Sequence, residues 1–171
     1  MDVKDIRVLI KIKVYKSLLN SLFVLILFSI ARFSKIYVIE LAEKTDITEV
    51  YLTSFLNSYL VWNTGIAFGL FSLSSELIYN LFTTLIVLIN ILIIYLIIIT
   101  KDFRKYFFLL ILGGSFGNLF DRLYYGSVPD FIDFHLGNFH WFIFNIADIF
   151  ITVGVICLIL AELLYKKEVN E

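Results

Sequence analysis

Cysteine occurs once in 171 residues, at Cys157, so a disulfide framework and a multi-cysteine zinc or iron–sulfur site are excluded. Proline occurs once, at Pro129, and glycine only 8 times, which leaves little of the punctuation that loop-rich folds use. Charge is scarce as well: Asp, Glu, Lys and Arg make up 17% of the chain, against about 25% in soluble domains. The formal net charge is −1 and no Lys/Arg run offers a footprint for phosphates, so nucleic acid is not an expected partner. What fills the chain is apolar: 60% hydrophobic residues, with 18 Phe, 10 Tyr and 2 Trp. That content and a mean hydropathy of +0.91 exclude both disorder and an ordinary water-soluble domain. The length fits one unit, here a single membrane domain over residues 1–171.

A spanning helix needs about 20 predominantly apolar residues. Four stretches qualify, at roughly 18–38, 77–100, 106–123 and 144–164. The second is the clearest, reading Ile-Leu-Ile-Ile-Tyr-Leu-Ile-Ile-Ile after Asn90. The expected fold is therefore an all-α membrane protein of four transmembrane helices. Basic residues set its direction. The N-terminus (Lys4, Arg7, Lys11, Lys13, Lys16), the link between spans two and three (Lys101, Arg104, Lys105) and the C-terminus (Lys166, Lys167) hold 10 of the 14 Lys and Arg. With four spans these segments share one side, so both termini are expected in the cytoplasm. The first span is too long, and lacks the small-residue cleavage site, to be a removed signal peptide.

Two segments then face outward. Residues 39–76 begin acidic and continue with aromatic and β-branched residues around Thr64-Gly65, which reads as short strands and a turn at the membrane surface. Residues 124–142 contain Gly126, Pro129, Gly137 and both histidines, and read as a loop.

Polar residues at membrane depth are costly and usually mark function. Asn118, Asp121 and Arg122 share one face of the third span by their i, i+3, i+4 spacing. Gly113 and Gly117 give a small-xxx-small pattern that permits close helix approach. Asn145 and Asp148 open the fourth span on one face. The ends of spans three and four, with Asp130 and Asp133 between them, meet near the outer boundary. Structural roles account for some of these residues: Asp121–Arg122 as an ion pair closing a helix, Asn145 as an N-cap. Asp148 needs a partner or a task. Two carboxylates in a partly dry site cannot both ionise easily, so one becomes an acid and the other a base, able to activate water without metal or nucleophile. The residues nominate Asp148 with Asp130, Asp133 or Asp121.

Other chemistries fit less well. His135 and His140 are five apart with no third ligand at a zinc spacing, so no metal is expected. Cys157 sits among Ile and Leu as a packing residue, and Ser115 has no His or Lys on its face to activate it.

At this point the chain resembles a known family, lipoprotein signal peptidase (signal peptidase II), an intramembrane aspartyl protease of bacteria. Asn63-Thr64-Gly65-Ile66-Ala67-Phe68-Gly69 is similar to its Asn-x-Gly-x-x-Phe block. Gly117-Asn118-Leu119-Phe120-Asp121-Arg122 and Val128-Pro129-Asp130-Phe131 resemble its Gly-Asn-x-x-Asp-Arg and Val-x-Asp-Phe motifs. Phe144-Asn145-Ile146-Ala147-Asp148 resembles Phe-Asn-x-Ala-Asp. The resemblance implies Asp130 and Asp148 as the catalytic pair, with Asn118, Asp121, Arg122 and Asn145 supporting them. It places Asn63 and Gly65 in the outer, substrate-facing segment.

The implied substrate is a prolipoprotein whose lipobox Cys carries diacylglycerol, cleaved just before that Cys without a cofactor. The implied setting is the bacterial inner membrane, among lipids, as a monomer with its active site near the outer face. One departure stands out: Ala31-Arg32-Phe33-Ser34-Lys35 replaces the family's usual Asp-Gln-x-Thr-Lys, keeping the hydroxyl and the Lys but not the acid or the amide. Pro129 replaces an aliphatic residue, and Ile149 stands where a small one is common. Two other classes compete, a small membrane transporter and a non-catalytic helical assembly subunit. A transporter would want its acids along a path to the midplane, and an assembly subunit would not need Asp148 beside Asp130.

Overall fold

The computed structural model describes residues 3–65, 76–137 and 139–169. In chain order the elements are α1 (Val3–Thr45), β1 (Glu49–Thr53), β2 (Leu56–Asn63), α2 (Glu76–Ile99), α3 (Arg104–Tyr125), β3 (Val128–Leu136), β4 (Phe139–Phe144) and α4 (Ile146–Val169). The chain is mostly helical, and among the described residues three helices are long and apolar enough to cross a membrane: Asp5–Thr45, Glu76–Ile99 and Ile146–Leu164. α3 is long enough too, but carries Asn118, Asp121 and Arg122 near one end.

An Ile- and Leu-rich run in lipid becomes helical because every backbone amide must find its partner within the segment. α2 shows the result. Leu77, Leu81, Leu88, Ile91 and Ile98 point outward, while Thr83, Asn90, Ile93 and Ile97 are buried. Ile93 and Ile97 join Leu109 and Leu112 of α3 in the apolar core.

α3 is the hub, packing against α1, α2 and α4. Small residues permit this. A Cβ at Gly113 would stand 2.6 Å from Leu27 Cβ, and one at Gly117 would stand 3.2 Å from Ala31 Cβ, so the small-xxx-small pair faces α1. Gly114 abuts the Ala147 carbonyl of α4, and a Cβ at Gly154 would come within 2.9 Å of the Phe107 carbonyl. These contacts also fix directions. On the α1–α3 seam both residue numbers rise together, so those helices are parallel. On the α3–α4 seam one rises as the other falls, so they are antiparallel. Tyr79 donates to the Arg122 carbonyl at 3.0 Å while Ile93 and Ile97 meet Leu109 and Leu112, making α2 antiparallel to α3 as well.

The helix bounds differ from the sequence expectation where polar residues lie. α1 begins at Val3 and runs for 43 residues, not just 18–38. At 1.5 Å per residue it is about 65 Å long, roughly twice a hydrocarbon core, so its charged ends extend past the apolar stretch.

The larger correction concerns residues 124–142, read as a loop. They hold most of a β-hairpin, and the four strands form one antiparallel sheet in the order β1-β2-β3-β4. Gly126 (φ 69°) ends α3 in the left-handed conformation, and Gly137 (φ 58°) lies between β3 and β4. The two glycines punctuate the hairpin rather than dissolve it. Pro129 near the start of β3 is tolerated there and lies opposite Trp62 of β2. Within residues 39–76, strands are present as expected, but their turn falls at Ser54-Phe55, while Asn63 ends β2. The rest of that segment, from Ile66 to Ser75, lies outside the described residues. Trp62 meets Tyr125 at the end of α3, ring centroids 5.3 Å apart, which seats the sheet on the helices.

Candidate active site

Asp130 lies on β3 and Asp148 in the first turn of α4. Both are buried, at 3% and 9% exposure, and unpaired charges are not stable at such depth, so their partners decide what they can do. Asn145 Nδ2 donates to Asp130 Oδ1 at 2.6 Å and to Asp148 Oδ2 at 2.8 Å. One amide group therefore bridges the two carboxylates. Asn63 Nδ2 donates to Asp130 Oδ2 at 2.8 Å, and Asn118 Nδ2 donates to Asp148 Oδ1 at 2.7 Å.

Each of the three asparagines has its carbonyl oxygen held elsewhere. Asn63 Oδ1 accepts Gly65 N–H at 2.8 Å, Asn145 Oδ1 accepts Ala147 N–H at 2.8 Å, and Asn118 Oδ1 accepts Lys35 Nζ at 2.6 Å. With the oxygens anchored on donors, the amide hydrogens have one direction left, toward the carboxylates.

The next layer carries charge. Lys35 is fully buried and reaches Asp121 Oδ2 at 2.5 Å. Asp121 also pairs with Arg32, whose guanidinium lies 4.5 Å from the Phe120 ring centroid. Arg122 Nη2 donates to the Gly65 carbonyl at 2.8 Å, tying α3 to the residues after β2.

The structure thus brings Asp130, Asp148, Asn63, Asn118 and Asn145 into one hydrogen-bonded group, with Gly65, Asp121 and Arg122 a step further out. Two readings change. Asp121 is not paired with Arg122, since adjacent helical residues do not face each other; its partners come from α1. Asp133, weighed as a mate for Asp148, lies with the histidines instead: His140 Nδ1 is 2.9 Å and His135 Nδ1 3.8 Å from its Oδ2. Where the sequence offered no third group beside the histidines, Asp133 thus lies within 4.8 Å of both.

Sequence reasoning assigned Arg32 and Lys35 no role. A cation in the apolar part of a spanning helix was the available signal.

The site tunes the acidity of Asp130. Burial, then the neighbouring Asp148 carboxylate, pushes it up from 3.8 to about 6, against the lowering effect of the Asn145 and Asn63 hydrogen bonds. Near neutral pH that proton is readily exchanged. The arrangement can therefore offer a proton donor beside an acceptor, the elements of acid–base attack by water.

Comparison with known proteins finds relatives of the whole chain. The sequence model of the family "Signal peptidase (SPase) II" matches residues 23–164. A lipoprotein signal peptidase of Pelagibacter ubique is 51% identical over 162 residues, 94% of this chain and 98% of that one. One from Anaplasma marginale is 36% identical over 148 residues, 85% of this chain and 84% of its own. Among solved structures, a bacterial membrane enzyme determined by the in meso method at 2.3 Å superposes with a TM-score of 0.71 at 28% identity, covering 89% of this chain and 91% of that one. A second, at 1.9 Å, gives 0.69 at 30% identity, covering 84% of this chain and 92% of its own.

Proposed function

This chain belongs to the signal peptidase II family, and from that premise we propose that it is an aspartic endopeptidase acting through Asp130 and Asp148. The proposed substrate is a diacylglyceryl-modified prolipoprotein, cut just before the lipidated Cys. The observation that carries this reading is the shared Asn145 amide, which holds two buried carboxylates side by side.

In the proposed mechanism the pair holds one proton. Asp148, which accepts three hydrogen bonds to Asp130's two, is assigned as the ionised member that takes the proton from an attacking water, and Asp130 as the proton holder. Asn145 and Asn63 only donate to Asp130, so neither can absorb its acidic hydrogen. That hydrogen is left for the substrate carbonyl oxygen, where negative charge develops as water adds. The proton then passes to the departing amine. Asn118, itself held by Lys35, keeps Asp148 in place throughout.

The whole chain is proposed to act as one membrane domain of four spans, α3 being the fourth. Its polar end is compensated inside the bundle by Lys35, Arg32 and Asp148, so it need not face lipid. The alternating helix directions support both termini on one side, and the Lys/Arg distribution makes that side the cytoplasm. The carboxylate pair then lies near the outer face of the bacterial inner membrane, where a lipid-anchored substrate presents its scissile bond. A monomer suffices, since all of these groups come from one chain. Supporting residues in this reading are Asn63, Gly65, Asn118, Asp121, Arg122 and Asn145.

The test is cleavage of a diacylglyceryl prolipoprotein by purified protein, followed by mass spectrometry of the released signal peptide. Asp130→Asn and Asp148→Asn should each abolish it while the protein still inserts and folds. Near wild-type cleavage by either variant would overturn the assignment.

A further inference from the structure

Asp133, His135 and His140 stand apart from the hydrogen-bonded group around Asp130, and nothing in the proposed reaction uses them. They are brought together by strand geometry. Asp133 and His135 are two apart on β3, with the β3–β4 register shifting between them, and His135 lies directly opposite His140. The imidazoles stack with centroids 5.1 Å apart and planes 23° from parallel, both with Nδ1 toward Asp133 Oδ2. The carboxylate is 3% exposed. His135 Nδ1 is buried and has no hydrogen-bond partner. A buried ring nitrogen left unsatisfied next to a buried carboxylate is costly unless something sits between them.

We propose that these three side chains bind a divalent transition-metal ion, zinc by preference, which clips β3 to β4. The donor atoms lie within 4.8 Å of one another. A tetrahedral zinc with bonds of about 2.0–2.1 Å requires ligand–ligand edges of about 3.3 Å. The two N–O separations, 2.9 and 3.8 Å, bracket that value. Two imidazoles and a carboxylate favour zinc or its borderline neighbours over calcium and magnesium, which seek oxygen cages. His140 is about half exposed, so an ion can enter from solvent and keep a water as its fourth ligand. The ion would neutralise Asp133 and fix a hairpin that carries the exposed Phe139 and Trp141. Because Asp130 is on the same strand, the clip would also steady the strand bearing the proton-holding carboxylate.

The test uses the full chain, free of any histidine tag, purified in detergent and stripped with chelator. After zinc titration and dialysis, elemental analysis should find one zinc per chain. Cobalt should give the visible absorption of a tetrahedral site. His140→Ala, at a half-exposed position, and Asp133→Asn should each weaken zinc binding by at least about tenfold, the lower end of what losing even a supporting partner costs a metal site. Zinc should slow hydrogen exchange of the β3–β4 amides in the wild type and not in either variant. If wild-type protein takes up no saturable zinc, the cluster is only an Asp–His hydrogen-bonded contact and the proposal fails. It fails equally if a variant carrying both Asp133→Asn and His140→Ala binds as tightly as wild type. Neither result bears on cleavage by Asp130 and Asp148.

Discussion

Asn145 and Asp148 close the start of α4 reciprocally: Asn145 Oδ1 accepts the Ala147 N–H at 2.8 Å, and Asp148 Oδ2 accepts the Asn145 N–H at 3.1 Å. This is a variant of the capping box, with Asn at the cap bonding the second helical N–H and Asp three residues on reaching back to the cap. It explains how a carboxylate can sit in the first turn of an apolar helix: the helix terminus has N–H groups that need acceptors. The same carboxylate faces Asp130 across the Asn145 amide. Structural and proposed catalytic roles therefore coincide in one residue, and experiments must separate them.

Asn145→Ala separates them in part. Losing the cap should cost about 1 kcal/mol, a fall in Tm of about 2–4 °C for a chain of this size. Losing the bridge leaves both carboxylates short of a donor, so cleavage should fall far more, by at least about tenfold, than the stability change explains. Thermal unfolding and cleavage measured on the same preparation check this. A drop in Tm with cleavage untouched would assign Asn145 to capping alone.

Asp130 should leave a mark on stability as well as on rate. Its carboxyl is 3.8 in an unfolded chain and about 6 in the folded one. Across that window the folded protein retains a proton that the unfolded chain has released, so stability falls as pH rises. The loss totals about 3 kcal/mol and is complete once pH has passed the folded value. Asp130→Asn should reduce this slope between pH 4 and 6, visible as a flatter dependence of Tm on pH. An unchanged slope would show that Asp130 does not hold the shifted proton. Wild-type cleavage should follow a bell whose two apparent pKa values belong to the pair.

The long apolar helices were legible because hydropathy is a one-dimensional signal. α2 begins at Glu76 and ends at Ile99, within a residue of the stretch read from composition. The β3–β4 hairpin was not legible, because Gly126, Pro129 and Gly137 are turn residues wherever they occur, and only the fold shows that two of them flank a strand. The partners of Asp121 were hidden for another reason. Arg32 and Lys35 lie 89 and 86 residues away, and no local spacing rule connects parallel helices across that distance. Asp148 was singled out by chemistry from the start, but choosing Asp130 as its mate over Asp133 or Asp121 took the family resemblance. In the fold, Asp133 and Asp121 are each engaged elsewhere.

Topology can be checked by labelling single cysteines in a Cys157→Ala background. Reagents confined to the outside should reach cysteines at Thr45 and Gly137 and should not reach one at Asp102. Labelling of Asp102→Cys from outside would reverse the orientation argued from the basic residues.

The pair Arg32 and Lys35 gives a prediction in which two similar cations behave differently. Both hold Asp121, so Asp121→Asn leaves two buried cations without their anion, and stability should fall by about 3 kcal/mol or more. Arg32→Met leaves Asp121 with Lys35. It should lower stability modestly through the lost ion pair and the contact with Phe120, with little change in cleavage. Lys35→Met leaves Asp121 with Arg32 and so resembles Arg32→Met in charge. It also frees Asn118 Oδ1, which Lys35 Nζ holds at 2.6 Å, and an unanchored Asn118 can rotate its amide away from Asp148 Oδ1. Cleavage should therefore fall at least about tenfold in Lys35→Met, because a catalytic group displaced by even about an ångström loses rate steeply. Comparable cleavage by the two Met variants would show that Asn118 keeps its orientation without Lys35, and that the inner cation serves Asp121 alone.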